Sequence, residues 1–87
     1  MSKTNDEVYE VVRKHLLEIC PDIKADRVVR TASMKELGAS SLDMVEVVSC
    51  SMRELGVRIA RQELSTLKDI GGLVDLLHDA ALKKKVA

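Results

Sequence analysis

A chain of 87 residues has room for one small core and none for a second catalytic domain. Apolar residues make up 46% and charged ones 32%, but Tyr9 is the only aromatic side chain, so the core must be built of Leu, Val, Ile and Met, with little left to stack on bases. Fourteen basic residues against fourteen acidic ones give no net charge, which argues against a general attraction to nucleic acid or to an anionic membrane.

Charged contacts must therefore be local. Residues 31–56 hold two basic and four acidic side chains, while residues 57–87 hold six and four, so acidity gathers in the middle. No apolar run approaches the ~20 residues that span a bilayer, and the N-terminus shows no apolar signal-peptide core, so the chain is expected to be cytoplasmic, with no membrane partner. Cys20 and Cys50 lie thirty positions apart, with no CxxC pairing and only His15 and His78 as further soft ligands. That is no metal signature. Two reduced thiols are expected, and a disulfide between them stays open.

The first helix is predicted over about 4–19. Thr4 and Glu7 have capping-box spacing, Val8, Val11, Val12, His15, Leu16 and Ile19 recur at three and four, and Pro21 stops the run. His15 flanks the stripe without a partner nearby in sequence and reads as structural rather than as a ligand or base. From Asp22 to Ser40 runs a connection of about 19 residues; so long a loop must pack, and Ile23, Val28, Met34 and Leu37 are its expected anchors. Ser33 and Glu36 have the spacing to cap a short turn within it.

A second helix is predicted over about 41–55. Ser40 and Asp43 form its capping box, Leu42, Val45, Val48, Met52 and Leu55 its apolar stripe, and Gly56 its left-handed exit. Val57 and Ile59 read as loop anchors, and residues 61–65 as a brief helix burying Leu64. The last helix is predicted over about 67–82, opened by Thr66 and Asp69, with Ile70, Leu73, Val74, Leu77 and Ala81 facing inward and Lys83, Lys84 and Lys85 as a frayed end. Gly71 and Gly72 weaken it by roughly 1 kcal/mol each relative to Ala unless they serve a close helix approach. No strand alternation competes. The fold class is all-α: a small four-helix bundle with a long first loop and a short third helix, a single domain over 1–87.

Catalysis in so small a domain needs a nucleophile with a base, paired carboxylates or a metal, and none is legible. The glycines form no phosphate-cradling loop. An enzyme is not expected. The chemically pointed stretch is Leu37-Gly38-Ala39-Ser40-Ser41-Leu42-Asp43, which lays hydroxyls at the opening of a helix. It resembles the motif of acyl carrier proteins, written as leucine, glycine, any residue, aspartate, serine, leucine. The chain length, long first loop and acidic start of the second helix are similar as well.

The resemblance implies that Ser41 receives a 4′-phosphopantetheine arm from coenzyme A through a phosphopantetheinyl transferase. It implies a monomeric carrier of acyl thioesters, not a catalyst. An anion at Ser41 would sit at a helix N-terminus, in surroundings worth about 0.3–1 kcal/mol; the competing reading makes Ser40 and Ser41 plain caps. By resemblance, partner enzymes such as an acyltransferase, a ketosynthase or an HMG-synthase-like enzyme dock on the second helix. Asp43 and Glu46, with Met44 and Val47 as apolar residues off the buried stripe, are the interface candidates. If a chain is sheltered, Met44, Val48, Ile59 and Leu64 are its candidate lining, with plain core as the alternative for each.

Ser40 departs from the motif's aspartate, and Met52 and Arg53 stand where many members carry further acids. That points to few dedicated partners. The stretch 59–64 and Lys68-Asp69-Ile70-Gly71 look similar to discrete carriers of bacterial polyketide assembly, some of which donate acetyl units for β-branching. Carriers of fatty acid synthesis, peptidyl or aminoacyl carriers, and a cofactor-free helical adaptor are the alternatives.

Overall fold

In the computed structural model, which describes residues 4–64, 67 and 69–86, the chain forms α1 (Asn5–Ile19), a 3₁₀ turn (Ala25–Arg27), α2 (Ser41–Leu55), α3 (Arg61–Leu64) and α4 (Ile70–Val86). No strand occurs among the described residues, and none of their helices is long and apolar enough to cross a membrane. α1 packs on both α2 and α4.

The capping boxes at Thr4/Glu7 and Ser40/Asp43 are both present, each with side chain and backbone exchanging hydrogen bonds. Gly56 leaves α2 in the left-handed region at φ 68°. The core is aliphatic: Val8, Val12 and Leu16 of α1, Val47 and Val48 of α2, and Ile70, Leu73, Val74 and Leu77 of α4 are buried, with Val28, Met34 and Val57 supplied by the connections. Ile23 and Leu37 pack against it half-buried. The long loop is thus a packed wall, and Ser33 caps its turn by accepting the Glu36 N–H at 3.0 Å.

Three expectations are corrected. On α2, Leu42 is 81% and Val45 47% exposed, whereas Val47 is fully buried, so the inward stripe is buried Val47, Val48 and Ser51 with half-buried Met44, Met52 and Leu55 packed beside them. Ser51 enters that stripe because its hydroxyl donates to the Val47 carbonyl at 2.8 Å, satisfying a buried polar group within the helix. α4 begins at Ile70 rather than near residue 67: Asp69 Oδ1 accepts the Gly72 N–H at 2.8 Å, and a capping side chain ends the preceding connection where it stands. Thr66, like Ser65, lies outside the described residues. At its other end the helix continues to Val86 instead of fraying after 82, and Lys83 pairs with Asp79 at 3.0 Å one turn back.

Gly71 does serve a close approach, made by the first loop rather than by a helix. Its N–H donates to the Arg30 carbonyl at 2.7 Å, and a Cβ there would lie 3.0 Å from that oxygen.

Candidate functional site

Ser40 and Ser41 are neighbours with different employment. Ser40 is the N-cap, extended at φ −78° and ψ 171°; its hydroxyl accepts the Asp43 N–H at 3.1 Å, and Asp43 Oδ2 accepts the Ser40 N–H at 3.0 Å. Ser41 occupies the first helical position, exposed, with no hydrogen bond to its hydroxyl among the described residues. The chain reaches this position from the 33–38 turn through Gly38, whose φ of +91° is open to glycine and strained for other residues; a Cβ there would meet nothing within 4 Å.

The charges around the tip are mostly committed. The Ser40 backbone N–H, then its side chain, holds the Asp43 carboxyl below its ordinary value, and a hydrogen bond from Cys20 acts in the same direction. Burial raises the Cys20 thiol above its ordinary value, and the neighbouring Asp43 charge adds to the effect. Cys20 and Cys50 are both free thiols. Glu46 is exposed without an ion-pair partner among the described residues. Among the described residues no base is engaged with Ser41. It is a free hydroxyl beside the first N–H groups of a helix, a place that suits a transferred anion.

Of the interface candidates, Asp43 and Met44 are half-buried, Glu46 is exposed and Val47 is interior. The four lining candidates are not brought together. Met44 lines a cavity of ≈130 Å³ with Ser33, Met34, Lys35, Leu67, Asp69 and Leu73, whereas Ile59 borders a separate depression with Arg58, Glu63 and α4 residues. Val48 is core at 1% exposure, and Leu64 packs half-buried against the core.

His15 has a partner after all, from another helix: its Nε2 lies 2.8 Å from Glu54 Oε1, which also accepts from Lys14 Nζ at 2.7 Å. The Lys14 hydrogen bond holds the Glu54 carboxyl below its ordinary value. This ties the far end of α2 to α1. Among the described residues no group of three His, Cys, Asp or Glu side chains is arranged to hold a metal ion.

The profile of the phosphopantetheine attachment site matches residues 10–77. The chain belongs to this family of carrier proteins. It is 33% identical over 72 residues to the polyketide biosynthesis acyl-carrier-protein AcpK of Bacillus subtilis (strain 168), covering 83% of this chain and 88% of that one. It is 30% identical over 82 residues to the acyl carrier protein of Saccharopolyspora erythraea, covering 93% and 85%. Among solved structures it resembles a chain in the crystal structure of the curacin biosynthetic pathway HMG synthase in complex with acetyl donor-ACP, with a TM-score of 0.79, 31% identity, and 88% of this chain and 99% of that one covered.

The family's cofactor is covalent phosphopantetheine, and this carrier's α2 tip fits it: an exposed hydroxyl with no partner among the described residues, at a helix N-terminus that suits the phosphodiester. When attached, the arm supplies a thiol that holds an acyl group as a thioester.

Proposed function

We propose that Ser41 is the attachment point of the arm and that this carrier presents acyl thioesters to enzymes of polyketide biosynthesis, as an acetyl donor to an HMG-synthase-like partner. The observation that carries the first part is the division of labour between the two serines. Ser40 is consumed in the cap and Ser41 is free. The polyketide assignment rests on the likeness to AcpK and to the acetyl-donor carrier bound to an HMG synthase.

On this reading the chain is a substrate and not a catalyst. The Ser41 hydroxyl displaces 3′,5′-ADP from coenzyme A, forming the phosphodiester. Its proton must pass to a base on the phosphopantetheinyl transferase, because Asp43, the acid of α2's first turn, is occupied by the cap. Docking falls on the exposed face beside Ser41. There Leu42, Val45 and Glu46 are available to a partner; Met44 contributes at the edge, and Asp43 contributes charge while remaining in its cap.

Incubation of the purified chain with coenzyme A and a broad-specificity transferase, read by intact mass, tests the assignment. Wild type and Ser40→Ala gain one arm, and Ser41→Ala gains none. An arm on Ser41→Ala, or an unchanged wild-type mass with several transferases, overturns it.

A further inference from the structure

The solvent face of α2 changes sign along its length. Leu42, Glu46, Ser49 and Arg53 follow one another at intervals of four, three and four, so they form a single stripe, with Val45 beside it. Leu42 is 81% and Val45 47% exposed, Glu46 and Arg53 are exposed, and Ser49 is half-buried. Neither Glu46 nor Arg53 has an ion-pair partner among the described residues, in contrast to Glu54 on the flank toward α1, which pairs with Lys14 at 2.7 Å. Asp43 is engaged in its cap and lies off the stripe. The stripe thus carries an apolar end at the tip, an acid, a small residue and then a base, the two charges standing roughly 10 Å apart along the helix. Its charges cancel, as do those of the whole chain, whose fourteen basic residues balance fourteen acidic ones. A strongly basic or strongly acidic surface is not its complement, and copies of the chain do not repel one another at long range.

We propose that the complement of this stripe is the same stripe of a second copy, laid antiparallel about a twofold axis passing between residues 49 and 50, so that the chain pairs weakly through α2 where the family resemblance implies a monomer. A twofold interface requires a self-complementary patch. Glu46 and Arg53 lie at equal distances on either side of that axis, roughly 5 Å along the helix, so each Glu46 meets the other copy's Arg53 and the two ion pairs form together. The same charges refuse a parallel arrangement, which would set Glu46 on Glu46 and Arg53 on Arg53. At the crossing stand the two Ser49 side chains, small enough to let the helices approach. Leu42 then lies over the aliphatic stem of the other copy's Arg53 and beside its exposed Gly56, and supplies the apolar burial that exposed charge pairs alone do not. One helix face falls short of the ~1,200 Å² of a standard interface, so the pairing is weak and shows at high concentration. Ser41 takes no part in the contact, and the pairing does not depend on the attachment site proposed above. On the proposed function the same face receives enzymes, so a paired copy and a docked enzyme exclude each other.

Analytical ultracentrifugation of the purified chain tests this, from micromolar to millimolar concentration at low ionic strength, with intact mass showing that every sample carries Ser41 in the same form and circular dichroism that every variant keeps its helicity. The average mass of wild type climbs with concentration toward that of two chains, and added salt lowers it. Glu46→Arg and Arg53→Glu each oppose like charges twice over, and each weakens the pairing about tenfold or more. The double variant Glu46→Arg/Arg53→Glu exchanges the signs and returns the pairing to within about threefold of wild type. An equal mixture of the two single variants, one stripe wholly basic and the other wholly acidic, pairs although neither does alone. Glu36→Arg, on the exposed first loop, changes the net charge as Glu46→Arg does and leaves the pairing within about threefold of wild type, which separates a local contact from bulk charge. A single-chain mass at every concentration leaves the stripe to an unlike partner and overturns the proposal. So does pairing that survives both single variants, that Glu36→Arg weakens as much as Glu46→Arg, or that the double variant fails to restore.

Discussion

Thr4 and Glu7 cap α1 as Ser40 and Asp43 cap α2, yet the side chains that follow the two caps meet opposite fates. At α1 the next two positions are Asn5 and Asp6, both engaged by Arg30, with Asn5 also bonded to Asp75. At α2 they are Ser41 and Leu42, both exposed and without a hydrogen-bond or ion-pair partner among the described residues. A capped tip is a structural device by default, since its cap satisfies backbone groups that would otherwise be orphaned. On the proposed function, the attachment site is the tip whose side chains stay idle.

The sharpest way to break this contrast is to truncate the same helical position in each. Asn5→Ala removes bonds to Arg30 and Asp75 and is expected to cost about 1–2 kcal/mol in urea unfolding while leaving arm addition intact. Ser41→Ala removes no bond, leaves the unfolding midpoint within about 0.5 kcal/mol of wild type and abolishes arm addition. If Asn5→Ala blocks loading, or Ser41→Ala unfolds the chain, the two tips are not divided into scaffold and site.

The next contrast lies across α2. Val47→Ala takes methyl groups out of the core and is expected to cost about 2 kcal/mol, whereas Val45→Ala, on the solvent face, stays within about 0.5 kcal/mol and shows instead in a raised KM for the transferase. Equal unfolding midpoints for the two variants would put the helix face in the wrong place.

This face was the part of the fold that spacing alone assigned wrongly. Residues 42, 44, 45, 47, 48, 52 and 55 are all apolar, so two stripes at intervals of three and four fit equally well. What decides between them is Ser51, a polar residue that satisfies itself inside the helix and so lends no apolar mark to the true inward side. The N-caps at Thr4 and Ser40 were legible because a capping box is a local, two-residue chemical pattern, and the choice of Ser41 came from the motif around it. The Arg30–Asn5 bond and the His15–Glu54 tie were not legible. Arg30 meets Asn5 from 25 residues away, and His15 meets Glu54 from 39, so no local spacing encodes either.

A smaller effect compares the caps themselves. Thr4→Ala and Ser40→Ala each remove one side-chain acceptor from a backbone N–H, at 3.2 Å in α1 and 3.1 Å in α2, and each is expected to cost about 1 kcal/mol. Loading separates them: Ser40→Ala lowers the rate by loosening the turn that presents Ser41, and Thr4→Ala leaves it unchanged.

The smallest effect is a change of pH dependence at the second cap. Hydrogen bonds from Ser40 hold the folded Asp43 carboxyl below its ordinary value, so the unfolded chain takes up its proton first as acid is added. Asp43 therefore contributes stability that is fully present above that value and is lost as the pH falls through the lower, folded one. Asp43→Asn should melt below wild type at neutral pH, where the charge at the helix N-terminus is gone, and the two curves should converge as the pH falls through the lowered value of the folded carboxyl. Glu54→Gln at the opposite end of α2 behaves alike through a different contact, since its carboxyl is held down chiefly by Lys14. A gap between Asp43→Asn and wild type that stays constant from about pH 7 to pH 2 would mean that the carboxylate is not what closes the cap, and the tip that presents Ser41 would then depend on the Ser40 hydroxyl alone.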